Sequence, residues 1–158
     1  MKILGIDPGS TSMGFAVLDE KNGQLTVIDY GTTAIKATSL VDKLMLLADQ
    51  LEEILLKHKP TVAGVEKLFL ARNKKTAFEV SHARGVILLT LARAGVAVHE
   101  ITPNEVKVAV TNYGGADKQM IAKMVKAILK IENLRGDDNA ADALAVGIAT
   151  AGLMKAYR

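Results

Sequence analysis

The sequence predicts an α/β fold on a mixed five-stranded sheet, three antiparallel strands followed by parallel ones, with helices on both faces. Three observations point there. Short β-type apolar runs carry the chain as far as Tyr30, a long segment with apolar residues at helical spacing follows, and strand-length and helix-length segments then alternate.

The elements follow in order. Lys2 to Ile6 is an apolar run that stops at Asp7-Pro8-Gly9, and Gly14 to Leu18 and Leu25 to Tyr30 read as two further strands joined by a hairpin turn at Asn22-Gly23. Ser39 is placed to cap a helix whose apolar positions Leu40, Val41, Leu44, Leu47, Leu51, Ile54 and Leu55 share one face, and Pro60 ends it. Val62 to Val65 is a short buried strand that delivers Glu66, Val96 to Val98 is another, and a helix from about Lys75 to Arg93 lies between them. Strand, helix, strand implies parallel pairing through a right-handed crossover. After Pro103 come a short helix, a break at Tyr113-Gly114-Gly115, a helix from about Lys118 to Lys130, and a last helix carrying Ala140 to Met154.

Composition removes several classes of function. A chain of 158 residues, 49% hydrophobic, is long enough for one well-buried core, so a single domain over residues 1–158 is expected. Cysteine is absent, which excludes disulfides, thiolate metal sites and cysteine nucleophiles within this chain. No stretch approaches a membrane span and the first residues carry no signal pattern, so a soluble, cytoplasmic protein is expected. A net charge of +3 with a pI near 9.1 permits a nucleic-acid partner without requiring one.

Four acidic positions carry the chemistry: Asp7 in GIDPG, Glu66 in AGVEKLF, and Asp138 and Asp142 in GDDNAADALA. Carboxylates are costly to crowd beside apolar runs unless a cation sits among them, and hard oxygen donors suit a magnesium-type ion. Asp7 and Glu66 end strands, which sends them toward the carboxyl edge of the sheet, where α/β folds tend to bind ligands. An Asx turn at Asp7 and a solvated strand end at Glu66 are the bland alternatives. Asp138 and Asp142 lie four apart at a helix start and so share a face, although an acid there also serves as a cap.

The element order is that of an RNase H-like fold. GIDPG with its following Gly14, VEKLF, ITPNEVK and the DALA segment together resemble the RuvC family of Holliday junction resolvases, from Met1 to about Ala151. The resemblance implies a metal-dependent endonuclease that resolves four-way DNA junctions by paired cuts on two strands of like polarity, leaving 5′-phosphate and 3′-hydroxyl ends. The cofactor implied is Mg²⁺, with Mn²⁺ able to substitute, as two ions per active site roughly 4 Å apart. The ligands would be Asp7, Glu66, Asp142 and either Asp138 or Asn139.

Asn139 departs from the family pattern, which carries an acid or sometimes a histidine three residues before Asp142. Either Asp138 takes over, or Asn139 is an introduced Asp-to-Asn change that disables cleavage. Lys107 and Lys118 match family positions implicated in substrate binding and catalysis. Phe69 matches an aromatic that stacks at the junction centre, and Arg72, Asn73, Lys74 and Lys75 form a cationic segment suited to phosphates. A homodimer is implied, its interface drawn from the broad small-to-apolar face of the 75–93 helix unless that face packs on the sheet. A junction-binding and branch-migration motor complex is a further possible partner. Other readings are an RNase H-like RNA-processing nuclease, a junction-binding protein with cleavage lost at Asn139, and, from the phosphate-loop look of GIDPGSTSMG, half of an actin-like ATPase.

Overall fold

The computed structural model describes residues 1–67 and 74–156, at 74 and 75 the backbone alone. Its five-stranded sheet has the order β3-β2-β1-β4-β5, formed by β1 (Lys2–Pro8), β2 (Ser12–Lys21), β3 (Gln24–Ala34), β4 (Val62–Glu66) and β5 (Ala97–Ile101). The first three pair antiparallel, and β4 and β5 join parallel. The helices are α1 (Leu40–His58), α2 (Lys74–Arg93), α3 (Pro103–Thr111), α4 (Lys118–Leu129) and α5 (Asp138–Ala156).

Period-two alternation along the strands sorts the core into two layers. Ile3, Ala16, Leu18 and Val62 face α3, α4 and α5, while Leu4, Ile6, Val17, Ala63 and Val65 face α1 and α2. The same alternation carries Asp7 and Glu66 onto the α5 face, just past the paired residues Ile6 and Val65. Their side chains therefore leave the sheet on one side and at one edge.

Every predicted strand and helix is present, most with extended limits. The hairpin turns at Asn22 and Gly23, both with positive φ as its tight geometry requires, and pairing runs on through the polar residues 19–21. Ser39 caps α1 by accepting from the Asp42 amide at 3.0 Å. The last described strand starts at Ala97 rather than Val96, because the Val96 amide closes the end of α2 on the Leu91 carbonyl. Helix α5 starts at Asp138, as the sequence suggests, but the Asp137 carboxylate accepts from the Ala140 amide at 3.2 Å, so it, and not Asp138, is the cap. The small-to-apolar face of α2 packs on the sheet, with Val80, Ala83, Ile87 and Leu91 buried within the chain.

Helix α5 is buried along most of its length and lies almost in backbone contact with the sheet. A Cβ on Gly5 would overlap the Ala143 carbonyl oxygen, one on Gly14 the Asn139 carbonyl oxygen, and one on Gly64 the Thr150 hydroxyl. Ordinary side chains at these three places would lift the helix off the strands. Gly5→Ala is expected to lower stability by about 1–3 kcal/mol, as overpacking does. Gly152→Ala, in open space on the same helix, should leave stability unchanged or raise it by up to about 1 kcal/mol. Urea unfolding of the two variants measures both, and equal stabilities would mean that the close approach is not a constraint.

Candidate active site

Three carboxylates converge where β1, β4 and α5 meet. Asp7 pairs across β2 with Gly14, and Glu66 pairs across β5 with Ile101. Asp142 comes from α5, one residue before the Ala143 that rests on Gly5. Glu66 and Asp142 line a cleft of about 370 Å³ with Lys107, Lys118, Val106 and Ile121, walled by α3 and α4. The break at Gly114-Gly115 lets α4 turn back, and Asp117 caps it by accepting from the Met120 amide at 2.8 Å, which sets Lys118 at the first turn over the cleft.

The electrostatics are those of an acidic site short of positive charge. Burial, then the charges of Glu66 and Asp142, push the Asp7 carboxyl up to about 8, and it shares a hydrogen bond with Glu66. Glu66 is raised by burial and by Asp142. Asp142 is raised chiefly by burial, offset in part by Lys118. Lys118 is held charged by its hydrogen bond to Asp138 and by the nearby Asp142 and Asp7. Two carboxyls in hydrogen-bond contact share a proton, so the site keeps one that a cation could displace.

The residues singled out in the sequence divide into three sets. Asp7, Glu66, Asp142, Lys107 and Lys118 come together. Asp138 and Asp142 flank the same lysine, but the Asp138 side chain is 82% exposed and bonds Lys118 Nζ at 3.2 Å outside the cleft. Asn139 is half-buried, and its Nδ2 donates to Ser12 Oγ at 2.8 Å. Phe69, Arg72 and Asn73 lie outside the described residues, as do the side chains of Lys74 and Lys75.

A family model described as crossover junction endodeoxyribonuclease RuvC matches residues 3–150. This chain belongs to the RuvC family. A RuvC of Heliobacterium modesticaldum is 44% identical over 152 residues, covering 96% of this chain and 94% of that one. Thermus thermophilus RuvC, solved in complex with a Holliday junction substrate, aligns with a TM-score of 0.93 at 28% identity over 99% of this chain and 96% of that one. The yeast mitochondrial resolvase Ydc2 shares the fold, with a TM-score of 0.73 at 13% identity over 99% of this chain and 81% of that one. The fold is RNase H-like.

Sequence reasoning passed over several residues that position the RuvC-type cleft. The Tyr30 hydroxyl accepts from the Arg135 amide at 2.7 Å, and Thr32 Oγ1 donates to the Asp137 carboxylate, so β3 holds the segment that starts α5. Asp137 is kept below the usual carboxylate range first by that hydroxyl and then by the Ala140 amide. Polar strand residues at 30 and 32 gave no signal of a long-range role; the Asp-Asp-Asn run did mark a helix start.

The raised Asp7 carboxyl makes stability depend on pH. Between the ordinary value near 4 and about 8 the unfolded chain has lost this proton while the folded chain retains it, so stability falls as pH rises through that window. Asp7→Asn removes this penalty. In EDTA, the melting temperature of Asp7→Asn relative to the parent should rise from pH 5 to pH 8. A constant difference would place Asp7 in solvent.

Proposed function

We propose that this RuvC-family chain is a single-domain, structure-specific endonuclease that resolves four-way DNA junctions by paired hydrolysis on strands of like polarity. The reading places it in the cytoplasm, acting in recombination and repair; among the described residues no helix is long and apolar enough to cross a membrane. The observation that carries the reading is the joining of Asp7, Glu66 and Asp142 at one cleft with Lys107 and Lys118, in a fold that matches a RuvC solved on its junction.

The donor set fits a hard divalent cation, Mg²⁺ or Mn²⁺, as two ions per site: half-buried carboxylates with raised pKa values lack compensating charge. Among the described residues no group of three acidic or histidine side chains is already closed into a cation cage, so side-chain rotation or the DNA phosphate would complete one. When bound, the ions supply an activated water and charge neutralisation at the scissile phosphate. Asp7, Glu66 and Asp142 would hold the ions, with the proton that Asp7 and Glu66 share in the metal-free site released to solvent. In the proposed hydrolysis a water oxygen would bond to the scissile phosphorus as the bond to the 3′ oxygen breaks, the water giving up a proton to solvent and the departing oxygen taking one up, to leave a 5′-phosphate and a 3′-hydroxyl. Lys118 and Lys107 stand at the cleft to balance phosphate charge, and Phe69, Arg72, Asn73, Lys74 and Lys75 are proposed to contact the junction.

A four-way junction has approximate two-fold symmetry, so paired cuts call for two active sites in a homodimer. The exposed face of α2 supports this, with Phe78 69% exposed near its start and Leu89 also exposed about three turns further on. A junction-binding and branch-migration motor would act beside the dimer.

The test is incubation with a labelled synthetic four-way junction, with linear DNA duplex and with RNA-containing duplex, with and without Mg²⁺, read for binding and nicking. Paired, metal-dependent nicks confined to the junction support the proposal, and equal cutting of RNA-containing duplex would favour the RNA-processing alternative. Binding without nicks would identify a junction binder disabled at position 139. Asp7→Asn should reduce nicking by at least about 100-fold while leaving junction binding intact, because it removes metal charge and no DNA contact. Replacing Lys74 and Lys75 together by Ala should weaken junction binding and reduce its salt slope by roughly 1–2.

A further inference from the structure

Position 139 of this chain is an amide, and the structure shows what holds it. Asn139 lies over the strand pair that carries Asp7: Asp7 pairs with Gly14, and the Asn139 backbone and Cβ occupy the space where a Gly14 side chain would stand. One turn further along α5, Ala143 rests on Gly5 and Asp142 enters the cleft. The Asn139 side chain therefore starts beside the acidic cluster. Asp138, one residue earlier, is exposed and occupied by Lys118.

An amide differs from a carboxylate in having two unlike ends. One edge donates and the other accepts, so only the Oδ1 edge can face a cation. In this chain the donating edge is taken, because Nδ2 bonds Ser12 Oγ at 2.8 Å. Ser12 sits two residues before Gly14 on β2 and so faces α5, as Gly14 and Ala16 do. Among the described residues Oδ1 receives no hydrogen bond, which leaves its lone pairs available.

We infer that Ser12 is a positioning residue of the metal site: by accepting from Asn139 Nδ2 it presents Asn139 Oδ1 as a neutral fourth oxygen donor beside Asp7, in place of the acid that the family resemblance expects. Asp138 is not that donor; it serves to hold Lys118 at the mouth of the cleft. The inference rests on the metal-dependent reading of the site. Its physical content is that an amide needs an anchor where a carboxylate does not, since a carboxylate presents an oxygen whichever way it turns.

The experiment measures Mn²⁺ affinity of the DNA-free protein by the electron paramagnetic resonance of free Mn²⁺, for the parent, Ser12→Ala, Ser12→Thr, Asn139→Asp and the Ser12→Ala/Asn139→Asp double variant. Melting temperatures and junction binding in EDTA are recorded for each. Losing a residue that orients a ligand typically costs about tenfold in metal affinity. Ser12→Ala should show about that loss with its melting temperature and metal-free junction binding retained. Ser12→Thr, which keeps the hydroxyl, should bind like the parent. In the Asn139→Asp background the Ser12→Ala change should cost less than about twofold.

Unchanged Mn²⁺ affinity in Ser12→Ala, or an equal loss in both backgrounds, overturns the inference while the metal reading stands. A parent that binds junctions but no Mn²⁺ overturns the metal reading and the inference together. Asp138→Asn, tested beside them, should leave Mn²⁺ affinity within about twofold; a loss as large as that of Asp142→Asn would transfer the donor role to Asp138 and overturn the inference.

Discussion

The near-contact of α5 with the centre of the sheet is the constraint on which the active cleft depends. Gly5, Gly14 and Gly64 lie on three adjacent strands and have no side chain on the α5 face, and Ala143, Asn139 and Thr150 occupy the space left. A helix resting on larger side chains would stand further from the sheet, since a Cβ at any of the three glycines would already overlap α5 atoms. Asp142 would then be too distant to raise the Asp7 and Glu66 carboxyls, as it does here. The strands bring two acids to one edge by alternation, and the glycines bring the third down to meet them.

That convergence works against folding. Like charges at a partly buried edge destabilise the metal-free chain, and the proton shared by Asp7 and Glu66 is the molecule's relief. Lys118 supplies part of the missing charge, yet it is 73% exposed and pairs most directly with Asp138 at the rim. It therefore leaves room for a cation. A fully buried lysine would have satisfied the acids and closed the site. The fixed parts lie around the cluster: the Asp117 cap sets the start of α4, and the Tyr30 and Thr32 hydroxyls hold the approach to α5.

The architecture was legible in the sequence because its signals are local. Asn22-Gly23, Ser39, Pro60 and Pro103 each act through the backbone of their immediate neighbours, and the structure has the turn, cap and boundaries where these residues predict them. Asp7 and Glu66 were legible for a related reason, since a strand-end acid after an apolar run emerges at the sheet edge. The contact glycines were less so: glycine inside a strand signals close approach but does not name what approaches. Asp138 shows the limit of helical spacing. Four residues set its direction beside Asp142, and it does reach the same lysine, but spacing says nothing of depth. The first turn still rests on Gly14 through Asn139, but the Asp138 side chain projects into solvent while Asp142 lines the cleft.

The departure at position 139 is best understood through its neighbours. The Asn139 backbone is fixed by Gly14, so its side chain cannot withdraw to accommodate a change of chemistry. A residue held there must either suit the acidic cluster or burden it. A fourth carboxylate would add repulsion to acids already raised, and Ser12, able to donate as well as accept, could bond it. An amide avoids the added charge and keeps an oxygen, at the cost of needing its other edge held. The Ser12 hydroxyl at 2.8 Å meets that need from the neighbouring strand. An amide held in this way adds an oxygen beside the acidic cluster without adding to its charge.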